Sequence, residues 1–333
     1  MNSFGHLFRV NIFGESHGES VGIVIDGCPA GLELNEHDLL PDLERRKGGK
    51  QKGTTPRQEA DYPFFKSGIF NGKTTGFPIA IFFENNNTRS EDYQKQRSIP
   101  RPGHADWVAH QKFGGFEDYR GGGHFSARLT TGLVAAGAIA KKLMTHTTIE
   151  AAVTEIAGES DLEKGLQRAI DAKDSVGGIV ECRVSGVPVG LGEPYFDSIE
   201  SVLSHMLFTI PAVKGVEFGA GFAAAKMFGS EHNDAIQNME GKTVTNNAGG
   251  IVGGISNGNE LVFRIAIKPT SSTPKEQNSL NWDTEQMEKF SIKGRHDLCV
   301  ALRAPVIVEA VTALVLADFF LQEQKLPRVI QDK

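Results

Sequence analysis

Leu129-Thr130-Thr131-Gly132-Leu133-Val134-Ala135-Ala136-Gly137-Ala138-Ile139-Ala140-Lys141-Lys142-Leu143-Met144 is apolar on nearly every side of a helical wheel. A helix of that kind is buried on several faces. Its alanines and glycines carry little bulk, so neighbouring elements can approach closely, and the helix belongs inside the protein. Just before it stands Tyr119-Arg120-Gly121-Gly122-Gly123-His124-Phe125-Ser126-Ala127-Arg128. The three glycines open the backbone to a large ligand, Ser126 can cap the helix, and Arg128 offers a two-pronged donor to an anion. A phosphate meets that description; a tight turn capped by Ser126 would read the same way.

Working outward, Leu7 to Phe13 and Val21 to Asp26 are predicted strands, joined by Gly14-Glu15-Ser16-His17-Gly18. Asn35 and Asp38 resemble a helix cap, and Leu39, Leu40 and Leu43 continue the helical spacing to Arg46. Phe64 to Phe70 and Phe77 to Phe83 flank Asn71-Gly72, a dipeptide suited to a type I′ turn, which predicts a hairpin or longer β excursion. Residues 84–125 read as a long polar loop. Further strands are predicted at Ile149 to Ile156, Ile179 to Val189 and Leu261 to Ile267, with helices at Leu162 to Ala172, Ser198 to Ile210 and Pro305 to Gln324. The elements alternate irregularly and no Pro/Ser linker divides residues 1–333, so one compact α/β or α+β domain is expected.

The 333 residues, 39% apolar and 23% charged, describe a folded globular chain, and a net charge of −6 argues against a general nucleic-acid partner. Cys28, Cys182 and Cys299 are odd in number and widely spaced, which points away from disulfides or a zinc ribbon and toward a reducing cytoplasm. Met1 to His6 lacks an apolar signal core, and the uncharged run Leu129 to Ala140 is too short for a bilayer, so no membrane partner is expected. Two apparent motifs fail. Gly68 to Thr74 has three residues between its glycines where a P-loop has four, and Gly219 to Ala224 lacks the second strand and acid of a dinucleotide site.

Several groups can carry chemistry. His17 lies between glycines and His104 in a Pro/Gly-defined loop, so both can face a cavity and exchange protons near neutral pH. Arg45, Arg46, Lys47, Lys50, Lys52 and Arg57 place six cations in thirteen residues, among glycines. That pattern suits a clamp on phosphate or carboxylate, as well as a solvated face. Asn246 to Gly254 opens the backbone again, and Lys268-Pro269-Thr270-Ser271-Ser272 is dense in small donors that could cradle a phosphate-bearing cofactor. Glu309 stands among valines and isoleucines and needs a cation, Arg303 or another.

Together these motifs resemble the chorismate synthase family from Phe4 to near Gln324. The resemblance rests on Phe13-Gly14-Glu15-Ser16-His17-Gly18, Arg101-Pro102-Gly103-His104-Ala105-Asp106, Asp118 to Gly123, Ser126-Ala127-Arg128, Lys268 to Ser272 and Gly294-Arg295-His296-Asp297. It implies an α+β sandwich with helices packed between antiparallel sheets, assembled as a homotetramer. It also implies anti-1,4 elimination of phosphate from 5-enolpyruvylshikimate 3-phosphate, giving chorismate, with reduced FMN (FMNH2) required and no net redox change. NADPH is a candidate reductant and an external flavin reductase a candidate partner.

By motif match, the resemblance implies that His17 protonates the departing phosphate and that His104 serves the reduced flavin. Ser16, Ser126 and Asp297 would form a proton relay. Arg46, Lys52, Arg128 and Arg303 would face the substrate's anionic groups. His124, Phe125, Ser126, Pro211, Ala212, Gly253, Lys268, Pro269, Thr270, Ser271, Ser272 and Arg295 would hold FMN. Where this chain has His124, Phe125, Pro211 and Leu298, the family more often carries arginine, serine, asparagine and proline, so side-chain contacts to the flavin should differ while backbone contacts persist.

Overall fold

The structure is a computed structural model that describes residues 2–49, 52–55, 59–87, 97–292 and 296–331. The predicted buried helix forms over Thr130–Leu143. Gly137 shows why it is built from small residues: a Cβ there would stand 2.4 Å from the Ala310 Cα of the Pro305–Gln322 helix, which crosses it in contact.

Each of these two helices also covers a sheet. The Thr130–Leu143 helix lies on a five-stranded antiparallel sheet whose spatial order is Ser3–Phe4, Arg9–Gly14, Ser20–Asp26, Ile79–Glu84 and Phe64–Ser67. Along its fourth strand Ile79, Ile81 and Phe83 are wholly buried, the alternation expected of a sheet with one core face. The Pro305–Gln322 helix lies on a four-stranded antiparallel sheet in the order Val213–Phe218, Leu261–Ile267, Gly178–Ser185 and Thr148–Ile156. The fold class is α+β.

By length and composition alone the Pro305–Gln322 helix could cross a membrane, but 78% of it is buried in the fold as a core helix. Its two carboxylates are satisfied internally. Asp318 accepts the backbone N–H groups of His6, Leu7 and Phe8 at 2.9, 2.6 and 2.8 Å. Glu309 takes both prongs of Arg45, at 2.7 and 2.6 Å, and the ammonium of Lys141 at 2.8 Å. Its cations are therefore Arg45 and Lys141, whereas Arg303 serves elsewhere.

Local signals behaved as their chemistry requires. Asn35 and Asp38 form a reciprocal capping box ahead of the Leu40–Arg46 helix. Asn71 and Gly72 take φ of +49° and +72°, turning the chain between Ile69–Phe70 and Lys73–Thr74. The expected loop over 84–125 instead contains a helix, Asp106–Phe113, closed by Gly114 at φ +63°. Pro100, Pro102 and Gly103 obscure its start, and Trp107, Val108 and Phe113 remain exposed, so no buried stripe announces it. The hairpin of Gln277–Asn281 and Gln286–Phe290 is equally silent in sequence, because neither strand has a buried face.

Candidate functional site

The glycine run threads between the two loop histidines. Gly121, Gly122 and Gly123 take φ of +60°, +82° and +51°, a region where side chains are strained. A Cβ on Gly121 would lie 2.5 Å from Cδ2 and 2.6 Å from Nε2 of His17, and 3.0 Å from the Ser16 hydroxyl. One on Gly122 would meet His104 at 3.3 Å, and one on Gly123 the Asp118 carbonyl oxygen at 1.9 Å. The Ser16 N–H donates to the Gly123 carbonyl at 3.1 Å, fastening the histidine loop to the run.

Two cavities meet at this wall. The smaller, about 180 Å³, is lined by Arg46, Lys47, Arg101, Arg128 and Arg303. The larger, about 620 Å³, is lined by His104, His124, Phe125, Pro211, Ala212 and the run Lys268 to Ser272. Gly121, Ser126, Ala127, Thr270, His296 and Asp297 line both.

The smaller cavity is cationic, and its arginines are held by protein carboxylates. Arg46 and Arg128 converge on Asp61, which is 2% exposed; Arg46 donates to its carboxylate at 2.9 Å and Arg128 makes a closer bond to the other oxygen. Burial alone would push the Asp61 carboxyl up, but the charges of Arg46 and Arg128 prevail and hold it below its ordinary value. Arg128 also donates to the Asn85 amide oxygen at 2.8 Å and the Glu84 carbonyl at 3.1 Å. The Asn85 amide in turn donates to the carbonyls of Glu15 and Gly18 at 3.0 and 2.9 Å, so one side chain joins the anion site to the His17 loop. Ser126 caps its short helical turn by accepting the Arg128 N–H. Arg303 donates to Asp297 at 3.2 Å and to the Arg46 carbonyl at 2.9 Å, and Asp297 accepts the Thr55 N–H at 2.7 Å.

The wall between the cavities presents polar atoms with nothing to bind. The Thr270 hydroxyl and His296 Nε2, whose residues line both cavities, are buried without a hydrogen-bond partner among the described residues, as is the Ser16 hydroxyl behind Gly121. Burial, and then the neighbouring Arg101 charge, push His296 toward its neutral form. Lys268 and Ser271 both reach the Gly103 carbonyl, the latter at 2.8 Å, which ties the phosphate-cradle candidate to the His104 loop. An ammonium, several hydroxyls and an exposed Phe125 ring on a cavity of this size fit a flat cofactor with a phosphate tail. Among the described residues no group of three or more His, Cys, Asp or Glu could hold a metal ion.

Some expected residues stand elsewhere. His17, 8% exposed, lies behind Gly121 and lines neither cavity. Lys52 reaches Gln167 at 3.3 Å on the exposed surface, and Gly253 sits in the turn between Ile251–Val252 and Ile255–Ser256, away from both cavities. The His124 ring is turned to the Gly14 carbonyl at 2.8 Å, and Leu298 donates its N–H to the Gly53 carbonyl at 2.9 Å, a bond a proline there could not make. Lys50, Arg57 and Arg295 lie outside the described residues. Asp61, Asn85, Thr55 and His296 belong to the site without having been singled out; only His296 had a signal, its place beside Asp297.

A set of arginines around one cavity, a second cavity lined by hydroxyls and a lysine, and a glycine wall shared by both are the architecture of an enzyme active site. A model of the chorismate synthase family matches residues 8–321. The chain is 67% identical to a chorismate synthase of Chitinophaga pinensis over the whole length of both, and 45% identical to one of Archaeoglobus fulgidus over 98% of this chain and 99% of that one. A solved chorismate synthase structure superposes with a TM-score of 0.71 at 26% identity, covering 96% of this chain and 93% of that chain. The chain belongs to the chorismate synthase family, lyases of aromatic biosynthesis in the shikimate pathway.

Proposed function

We propose that the chain releases phosphate from 5-enolpyruvylshikimate 3-phosphate by anti-1,4 elimination to give chorismate, with the substrate in the arginine-lined cavity and reduced FMN in the larger one. The shared wall carries this reading: Gly121, Ser126, Thr270, His296 and Asp297 line both spaces, so two ligands can meet there, and at Gly121 no side chain stands between them. Arg46, Arg128 and Arg303 bind the substrate's phosphate and carboxylates, preset by Asp61 and Asp297. Lys52 and Gly253 take no part within one copy of the chain. His124, Phe125, Pro211, Ala212 and Lys268 to Ser272 hold the flavin, and the family motif adds Arg295, outside the described residues, to that set.

Neither the C3 phosphate nor the C6 hydrogen is activated by a carbonyl, and reduced FMN, when bound, supplies the transient electron donation that side chains lack. His17 holds the proton for the departing phosphate and passes it across Gly121, where the absent side chain leaves the way open. Ser16, Ser126 and Asp297 relay protons along the wall, and His104 faces the flavin side.

The finer architecture follows the family: one domain spanning 1–333, a sandwich with the two core helices between the sheets. Tyr195, Phe196, Phe222 and Met239, each more than 80% exposed, leave apolar surface that subunit contacts would cover, which supports a homotetramer, measurable by light scattering. Three buried free cysteines suit a cytoplasmic site. Aerobic turnover with NADPH as sole reductant would show that the chain reduces its own flavin; dependence on an added flavin reductase would assign that step to a partner. The activity itself is tested anaerobically with chemically reduced FMN and the substrate. Phosphate and chorismate should appear in equal amounts, and absence of both products would refute the proposal.

A further inference from the structure

His104 touches Gly122 and lines the larger cavity, but its ring is anchored on the other side. Its Nδ1 lies 2.5 Å from Asp106 Oδ1 and 3.0 Å from an Arg101 terminal nitrogen. Both contacts cannot be hydrogen bonds in one tautomer, since the first needs a proton on Nδ1 and the second a lone pair. The geometry around Asp106 decides between them. Its carboxylate accepts the Arg101 guanidinium at 2.7 and 2.8 Å and the Arg101 backbone N–H at 3.0 Å. Burial pushes the Asp106 carboxyl up, but the bonds from Arg101 and His104 outweigh it and keep the group ionised. An ionised carboxylate can only accept, so the proton at the 2.5 Å contact sits on Nδ1. The Arg101 N–H then serves Asp106 Oδ1, and its approach to the ring is incidental.

We propose that Asp106 is the positioning residue that locks His104 as the Nδ1–H tautomer and leaves its Nε2 free at the glycine wall. Asp106 opens the Asp106–Phe113 helix, where a carboxylate is favoured by the helix dipole, so the anchor is itself fixed by the fold. The orienting logic is that of a carboxylate behind a working imidazole: it fixes tautomer and ring plane without touching the ligand.

The inference rests on His104 serving the flavin side. A His104→Ala enzyme with undiminished turnover would remove that reading, whereas ring spectra taken without cofactor or substrate decide the Asp106 claim independently. Protein with 15N in its histidine rings, studied where the rings are neutral, should show His104 with a protonated Nδ1 and a bare Nε2. Asp106→Asn should abolish that preference and Asp106→Glu restore it. In the flavin-loaded enzyme Asp106→Asn should lower kcat by about 10- to 100-fold. Substrate KM and FMN affinity should move less than about threefold, the mark of a positioning role. An Nε2–H tautomer in the unaltered protein would overturn the proposal, as would an Asp106→Asn variant with unchanged ring signals, whatever its turnover.

Discussion

Two buried carboxylates, Asp61 and Glu309, are each gripped by two cations, yet only one belongs to the site. Neighbours in sequence supply them: Arg46 turns to Asp61 and Arg45 to Glu309, because successive residues of the Leu40–Arg46 helix point about 100° apart. Around Glu309 every charge is consumed by protein, with Lys141 also held by Asp42 at 2.8 Å and the Ala151 N–H closing the ring at 3.1 Å. Around Asp61 the same clasp lines a cavity, so the charges of Arg46 and Arg128 stand beside a space that a ligand can enter. A buried ion pair therefore says little about function until the space beside it is known.

Removing each carboxylate should separate the two roles. Glu309→Ala leaves a half-buried Lys141 with one partner fewer and should cost about 3 kcal/mol, the lower end for a broken buried pair, because Arg45 is half exposed and Lys141 is also partly exposed. Denaturant unfolding measures that loss, and turnover per folded molecule should survive. Asp61→Asn should act the other way, raising substrate KM by about tenfold or more as the two guanidiniums lose their anchor, with FMN affinity preserved. If both variants changed stability and KM alike, the contrast would collapse.

Acid offers a second comparison. Both carboxyls are held below their ordinary values of 3.8 and 4.5, burial opposing and the paired cations prevailing. The unfolded chain thus binds protons first, so the stability each contributes is present above those values and is lost as pH falls through the lowered ones. Glu309→Gln should flatten the acid limb of a stability–pH curve below about pH 4.5; an unchanged limb would mean the Glu309 clasp contributes nothing. A smaller effect is expected from Leu298→Pro, which deletes the N–H to Gly53 and should cost about 1 kcal/mol by thermal unfolding. Lys52→Ala should do least, leaving KM unaltered, because its partner is Gln167 on the surface.

What was legible in the sequence was what is decided locally. The Asn35–Asp38 box, the Asn71-Gly72 turn, the Ser126 cap and the small-residue helix each need only a few neighbouring residues. Arg46, Arg128, Arg303 and Asp297 were recognisable through their motifs and do converge. Asp61, Asn85 and Thr55 were not, because their partners lie far along the chain, Thr55 meeting Asp297 and Asn85 meeting Arg128 only once the fold is made. The placement of His17 behind Gly121 was hidden for the same reason.

Gly121 is where the account is most exposed. Gly121→Ala puts a methyl group on a backbone at φ +60° and drives it into the His17 ring, 2.5 Å away, without altering any group that lines the larger cavity beyond the wall itself. Anaerobic turnover with reduced FMN, measured beside a titration of oxidised FMN, should show the elimination reduced by about 100-fold or more with flavin binding retained. Turnover equal to that of the unaltered enzyme would contradict the claim that substrate, flavin and His17 meet across this glycine.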